Sequence, residues 1–190
     1  MKIFNYSKHI NKITKKKKNG DYDYSWAACI LPKDIANKIM NFANKIPDRE
    51  LYIEDNGDHG REDEPHVTIK YGILTKDSRK IQKILENEKG GKIKLGIISS
   101  FESDKYDVLK ISIISNALHK LNNKISKGTK CHDSFPQYVP HATIAYLKCG
   151  NAEKYCEKFK NEFKDISFEF DEIIFKRSDT KEITKIKLSK

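Results

Sequence analysis

The chain has 190 residues, of which 34% are charged and 37% apolar, and its formal net charge is +10. This length suits one domain or two small joined lobes, and the apolar residues cluster in short runs that can form a packed core. The charge favours an anionic partner, although the lysines are spread along the whole chain, as an AT-rich genome would also produce. No apolar stretch approaches the roughly 20 residues that span a bilayer, so we expect no membrane partner.

The four cysteines form no C-x-x-C pair, so neither a zinc ribbon nor a thioredoxin-type motif is expected. Without a secretory signal, reduced thiols and a cytoplasmic location are the default expectation. Residues 1–20 are rich in Lys and Asn and end in the turn dipeptide Asn19-Gly20. We interpret them as a basic leader, followed by a single domain over residues 21–190.

The first elements of the domain are a strand, a helix and an acidic loop. Residues 22–32 form an apolar run that Pro32 stops, and Asp34 is expected to cap a helix that continues to about residue 45. Residues 54–64 are acidic and punctuated by glycine. They do not fit the D-x-D-x-D-G calcium pattern, so we interpret them as a loop and not as a metal site.

The remaining chain repeats this order. Gly90-Gly91 is the best candidate for a lobe boundary, near residue 90. Helices are expected near 77–88, 116–127 and 151–163, strands at about 92–100 and 106–115, and a strand pair at 167–188 that turns at "RSDT". A strand, a helix and a motif-bearing strand occur twice, which indicates a duplication with pseudo-twofold symmetry.

The motif itself reads "EPHVTIKYG" at 64–72 and "VPHATIAYL" at 139–147. Given the first copy, composition alone would produce the second with a chance of roughly one in ten thousand. Side chains alternate along a strand, so His66, Thr68 and Lys70 are expected on one face. His141 and Thr143 share the equivalent face, while the isoleucines and tyrosines of both motifs are expected in the core.

Two imidazoles and two hydroxyls that converge on one point can perform acid–base chemistry. Near pH 7 one histidine can be neutral and the other protonated, as a paired base and acid require. The threonines can donate hydrogen bonds to non-bridging phosphate oxygens. This set of groups needs no metal and no other cofactor.

The repeated H-x-T motif resembles that of the 2H phosphoesterases. The stretches "EPHVTIKYGI", "FESDKYDVLKISI", "LHKLNNKIS" and "FPQYVPHATIAYLKCGNAEKY" are similar to the anti-CBASS phosphodiesterases of bacteriophages, which degrade cyclic di- and trinucleotide alarm signals of bacteria. The resemblance covers about residues 22–160. It implies a bilobal α+β fold, with two pseudo-symmetric lobes of antiparallel sheet, helices outside and a central cleft. It also implies metal-independent cleavage of a 3′–5′ phosphodiester in the cytoplasm of a host bacterium.

The resemblance assigns both His–Thr pairs to catalysis. One histidine would take the proton of a ribose 2′-OH, which attacks the adjacent phosphorus, and the other would protonate the departing 5′-oxygen. A 2′,3′-cyclic phosphate would result, and its hydrolysis would reverse the roles. We assign His66 as the base and His141 as the acid, although the pseudo-symmetry allows the opposite.

Five further residues are candidates for substrate binding. Tyr24 can stack on a base or belong to the core, and Lys70 can meet a phosphate or lie at a solvated rim. Phe135 and Tyr138 precede the second motif in a loop, where they could flank a base. Lys148 follows the motif and adds positive charge.

Two alternatives stay open. A 2H enzyme that trims RNA ends or opens 2′,3′-cyclic phosphates would keep the chemistry and change the substrate, and nucleic acid would then be the partner. A sponge would bind cyclic nucleotides without cutting them, but it would not need a base and an acid in register.

Overall fold

A computed structural model describes residues 24–55, 57–132, 137–180 and 182–189. The leader at 1–20 and Phe135 lie outside the described residues, so what we expect of them stays a prediction. The strands are β1 (Ser25–Ile30), β2 (His66–Ile73), β3 (Gly91–Glu102), β4 (Tyr106–Ile114), β5 (His141–Lys148), β6 (Ser167–Phe170), β7 (Glu172–Lys176) and β8 (Ile183–Lys187). The helices are α1 (Lys33–Ala43), α2 (Ser78–Leu85), α3 (Asn116–Gly128) and α4 (Glu153–Lys158), with a 3₁₀ turn at Asp48–Glu50.

The eight strands form one antiparallel sheet in the order β6-β3-β4-β5-β2-β1-β7-β8. The two motif strands, β2 and β5, lie side by side at its centre. They pair only through Val67 and Ala142 and then diverge. The sheet therefore has two halves that meet at the motifs. The C-terminal strands β7 and β8 extend the half that contains β1 and β2, so the halves of the sheet do not follow the halves of the chain.

Backbone groups that lose a ladder partner where β2 and β5 diverge are bound by neighbouring segments, as buried backbone requires. On β5, the carbonyls of Ile144 and Tyr146 accept from the amides of Glu62 and Tyr52, at 3.0 and 2.9 Å. On β2, the Ile69 carbonyl accepts from the Asn122 side chain at 2.7 Å. The divergence that opens the site is thus stabilised on both strands.

The helices cover one face of the sheet and the motif histidines lie on the other. Helix α3 follows β4 in the chain but packs on β2, in the other half of the sheet. Helix α1 follows β1 but packs on β5, so each helix crosses to the other half. Val67, Ile69 and Ile144 are fully buried in the core between them. Among the described residues, no helix combines the length and apolar character needed to cross a membrane.

The α+β class is as predicted, and three local details differ. Asp34 does not cap α1, because the N-cap position falls on Pro32 and Asp34 lies in the first turn. Helix α4 ends at Lys158, followed by turns to residue 165. The C-terminal segment forms three strands, and "RSDT" lies in the connection between β7 and β8.

Both motif strands contain a β-bulge at the same place. Across β1 and β2, Ala28 pairs with Thr68 but Ala27 pairs with Lys70, and an equivalent shift occurs between β4 and β5 after Thr143. A bulge inserts one residue and so changes which face the following side chains occupy. Two predictions are therefore wrong for the residues that follow the threonines: Lys70 does not share the face of His66, and the two motif tyrosines do not lie on the core face.

Candidate active site

The two His–Thr pairs form one group of four side chains on the open face of the sheet. Val67 pairs with Ala142 in antiparallel strands. His66 consequently lies on the side of Thr143, and Thr68 lies on the side of His141. All four side chains are partly exposed. The sequence prediction that two motifs 75 residues apart converge is in agreement with this register.

The two imidazoles are held in the same way. Nδ1 of His66 is 2.8 Å from the Glu64 carbonyl oxygen, and Nδ1 of His141 is 2.8 Å from that of Val139. A carbonyl oxygen can only accept, so Nδ1 carries the proton in both rings. Nε2 is then the atom of each ring that can take or give a proton.

The electrostatic surroundings of the two histidines differ. The surrounding protein excludes water from His141 and lowers its pKa to about 4. The Val139 carbonyl opposes this shift, while the charges of Lys110 and His66 add to it. His141 is therefore neutral at neutral pH, which is the state of a general base. This favours the opposite of the assignment made from the sequence.

Each histidine contacts an aromatic ring that sequence reasoning did not select. The Trp26 ring centroid is 5.2 Å from that of His66, and the Phe101 centroid is 4.9 Å from that of His141. Trp26 belongs to an apolar run, which favours a core position, but its side chain is partly exposed and its ring lies against that of His66. The alternation 24, 26 was the available signal for it.

A lysine lies over each of these rings. Nζ of Lys176 is 5.5 Å from the Trp26 centroid, and Nζ of Lys110 is 4.1 Å from the Phe101 centroid. Lys110 pairs with Thr143 across the strands and donates to the Ser99 hydroxyl at 2.7 Å. Burial lowers the pKa of Lys110 to about 8. The site thus contains two similar groups of histidine, aromatic ring and lysine, one in each half of the sheet.

The motif tyrosines border the site because the bulges turn them away from the core. The hydroxyl of Tyr146 is hydrogen-bonded to that of Thr143, and burial raises the pKa of Tyr146. Its ring meets His59 of the acidic loop edge-on, with centroids 4.5 Å apart. Tyr71, the equivalent residue in β2, meets Tyr24 edge-on at 6.0 Å.

Lys70 and Lys148 do not join the His–Thr group. Lys70 is buried and pairs with Ala27, a fully buried core residue, so it does not share the face of His66 as expected. Lys148 is exposed and pairs with Tyr106 at the far end of β5. It is seven residues from His141, which corresponds to roughly 23 Å along a strand.

The two tyrosine candidates have protein contacts. The ring of Tyr24 stacks on His132, with centroids 5.1 Å apart and planes 2° from parallel. The Tyr138 hydroxyl donates to the Thr68 carbonyl at 2.9 Å, and its ring meets His119 of α3 edge-on. Tyr24 borders the site through Tyr71, whereas Tyr138 supports the strand that carries Thr68.

Glu62 is a further residue near the site that sequence reasoning missed. Its Oε1 accepts from the Glu64 amide at 3.2 Å. Burial raises the pKa of Glu62, and the charge of His66 opposes the rise. The acidic loop had been interpreted only as a loop, since no pattern placed this carboxyl beside the first motif. Within the part of the chain that the structure describes, no three His, Cys, Asp or Glu residues are grouped to hold a metal ion.

Comparison with known proteins gives a consistent family. The model of the 2′-5′ RNA ligase superfamily matches residues 39–182. None of the curated proteins compared with the chain matches it. The chain is similar in fold to the TT0787 protein of Thermus thermophilus, at 12% identity and a TM-score of 0.60, over 87% of this chain and 95% of that one.

Two other structures share the fold. Usb1 of Kluyveromyces marxianus is 12% identical with a TM-score of 0.52, over 87% of this chain and 98% of that one. E. coli LigT complexed with 3′-AMP is 13% identical with a TM-score of 0.52, over 88% of this chain and 95% of that one. At this identity, the likeness establishes the fold and leaves the substrate open.

Proposed function

The chain belongs to the 2′-5′ RNA ligase superfamily, whose members include the 2H phosphoesterases, and from that premise we propose that it cleaves 3′–5′ bonds of cyclic di- or trinucleotides without a metal. The observation that carries the proposal is the register of the motif strands. It supports a single group of two His–Thr pairs in which both Nε2 atoms are available to one phosphate.

The chemistry requires one proton to be taken and one to be given. A neutral Nε2 accepts the proton of the ribose 2′-OH, O2′ bonds to phosphorus, and the bond from phosphorus to O5′ breaks. The second imidazole gives its Nε2 proton to O5′. The hydroxyls of Thr68 and Thr143 donate to the non-bridging oxygens, where negative charge develops.

The two aromatic–lysine groups support a substrate with more than one nucleotide. Bases stack on aromatic rings with little dependence on sequence, and lysines attract phosphates. Trp26 with Lys176 and Phe101 with Lys110 offer two such places, one beside each histidine. A cyclic dinucleotide has two bases and two phosphates, whereas a terminal 2′,3′-cyclic phosphate has one of each at the reacting unit.

The biological role that we infer follows from the resemblance to phage anti-CBASS enzymes. Destruction of a cyclic nucleotide signal in the cytoplasm of a bacterium would protect an infecting phage from that defence. The quoted similarity over residues 101–155 supports this role, and it includes Phe101 and Lys110.

The second candidate is RNA-end processing. It is favoured by membership of the 2′-5′ RNA ligase superfamily and by the net charge of +10. Salt dependence separates the two, because a long RNA neutralised by many lysines gives a steep fall of affinity with salt. A cyclic dinucleotide has only two phosphates, so its affinity falls only slightly as the salt concentration rises.

The decisive experiment is incubation with a panel of cyclic di- and trinucleotides and a short RNA in EDTA, with products separated by chromatography. We expect cleavage of the cyclic nucleotides and a loss of roughly 10²–10⁴-fold in His66→Ala and in His141→Ala. His119→Ala, on helix α3, is the matched control. Near wild-type turnover in either active-site variant would refute the scheme, and unaltered ligand with the wild-type protein would indicate a sponge.

A further inference from the structure

We propose that Glu62 and Lys110 are positioning residues that break the twofold symmetry of the site, making His66 the acid and His141 the base in the first cleavage step. The inference rests on the proposed phosphodiester cleavage. The motifs themselves do not distinguish the two directions, because both histidines have the same carbonyl contact at the same distance. The difference comes from the deeper burial of His141 and from the charges around the two rings.

A carboxylate is connected to His66 through one residue. The Glu62 carboxylate accepts from the Glu64 amide, and the carbonyl of the same Glu64 accepts from Nδ1 of His66. The negative charge favours the protonated form of the imidazole. Glu62 is held in place because its own amide donates to the Ile144 carbonyl at 3.0 Å. The Glu62–His66 pair can retain one proton, on either group, and this proton is available for the leaving oxygen.

The cation nearest to His141 is held differently from the one near His66. Lys110 lies on the neighbouring strand, opposite Thr143, and its ammonium is fixed by the Ser99 hydroxyl and the Phe101 ring. That ring is the one that contacts His141. A fixed positive charge disfavours a second one nearby, so Lys110 adds to the effect of burial, which already favours a neutral His141 imidazole. A lysine with a pKa of about 8 is still mostly protonated at neutral pH.

The other charged groups near the histidines do not reverse this difference. Asp63 and Glu64 add negative charge near Glu62. Lys176 opposes them from strand β7, where its ammonium lies over the Trp26 ring. His66 is itself the remaining charge that acts on His141, and a protonated His66 further disfavours protonation of His141.

The step then has a defined direction. Nε2 of His141 takes the 2′-OH proton as O2′ attacks, and Nε2 of His66 gives its proton to O5′ as that oxygen leaves. In hydrolysis of the 2′,3′-cyclic phosphate, neutral His66 takes a proton from a water molecule as the water oxygen bonds to phosphorus. His141 returns its proton to O2′ as the bond from phosphorus to O2′ breaks. Both histidines are then restored.

The roles of Lys110 and Glu62 are tested separately, the first by NMR titration of His141 without any substrate and the second by kinetics. For Lys110, we expect Lys110→Met to raise the pKa of His141, because it removes one of the charges that lower it. For Glu62, we expect Glu62→Gln to slow cleavage of an ordinary cyclic dinucleotide more than cleavage of an analogue with sulfur at the 5′-bridging position, because only the first needs the proton held by the Glu62–His66 pair. Matched controls remove the same charges elsewhere in the sheet: Glu172→Gln, paired with Lys185, and Lys94→Met, paired with Asp165. Effects no larger than those of the controls would overturn the proposal.

The direction is tested with a cyclic dinucleotide whose 5′-bridging oxygens are sulfur, since a thiolate leaves without a proton. This substrate should restore most of the lost rate to His66→Ala and little to His141→Ala. Rescue of His141→Ala alone would overturn the assignment. If the wild-type protein cleaves neither substrate, the proposed function fails, while the titration still decides whether Lys110 lowers the pKa of His141.

Discussion

The hydroxyl of Tyr138 donates a hydrogen bond to the backbone carbonyl of Thr68, a residue 70 positions earlier in the chain. This bond ties the segment that precedes the second motif to the strand of the first. Burial raises the pKa of Tyr138, so the hydroxyl stays protonated and continues to donate. The position of Thr68 therefore depends on a residue from the other half of the chain.

Tyr138→Phe should lower the free energy of unfolding by about 1–2 kcal/mol, because the Thr68 carbonyl loses its donor in a partly buried position. Urea denaturation measures this change. The control is Tyr52→Phe, whose hydroxyl donates over a longer 3.3 Å to the more exposed Glu54 carboxylate, and a smaller loss is expected there. If Tyr138→Phe instead raised KM and left stability unchanged, the ring would contact substrate, as the sequence had suggested.

The Thr143 hydroxyl should contribute to kcat. Thr143→Val removes a donor to the phosphate and should reduce kcat by roughly 10²–10³-fold, as loss of an oxyanion donor does. Tyr146→Phe removes only the group that is hydrogen-bonded to Thr143, and a smaller loss is expected. Steady-state kinetics with a cyclic dinucleotide measure both. Equal losses in the two variants would contradict a direct contact between Thr143 and the phosphate.

The aromatic rings should distinguish substrate classes. Loss of one stacked base costs roughly 1–3 kcal/mol, so Trp26→Leu and Phe101→Leu should each weaken binding of a cyclic dinucleotide about 5- to 150-fold. Binding is measured by calorimetry with the inactive His141→Ala background. For a 2′,3′-cyclic mononucleotide, only one of the two substitutions should matter. Tyr24→Leu serves as comparison, since its ring is stacked on His132. No effect of either Trp26 or Phe101 on the dinucleotide would contradict the two-base arrangement.

His141 should make folding sensitive to acid. Its pKa is about 4 in the folded protein and about 6.5 when unfolded, so between these values the unfolded chain binds more protons. Stability should fall as pH decreases from about 6.5 to about 4, by up to roughly 1.4 kcal/mol for each pKa unit of difference. His141→Asn should lose less stability across this range, measured as Tm at pH 7 and pH 4.5. The control is His119→Asn, and an identical pH dependence in wild type and His141→Asn would contradict the low pKa.

Much of the site could be predicted because the repeat and the strand period both act over short distances. His66 and Thr68 are two residues apart, and alternation alone puts them on one face. The bulges after Thr68 and Thr143 could not be predicted in this way. A bulge depends on pairing with the neighbouring strand, and the inserted residue reverses the faces for Lys70 and Tyr146.

The residues that break the symmetry were also beyond sequence reasoning. Glu62 lies in the loop just before the first motif, and its position depends on a side-chain contact with the Glu64 amide, whereas the nearness of Lys110 to His141 follows from the strand register. Trp26 was not selected for a different reason. An apolar neighbourhood in sequence favours burial, but a two-faced strand can present an aromatic residue on its open face.

The position of β7 next to β1 has a consequence during protein synthesis. β1 carries Trp26 and pairs with β7, which is made almost 150 residues later. The half of the sheet that holds His66 cannot therefore be completed until residues 172–187 have left the ribosome. The half that holds His141 is finished earlier, since its last strand, β6, ends at Phe170. A nascent chain can accordingly complete the His141 half of the sheet before the His66 half.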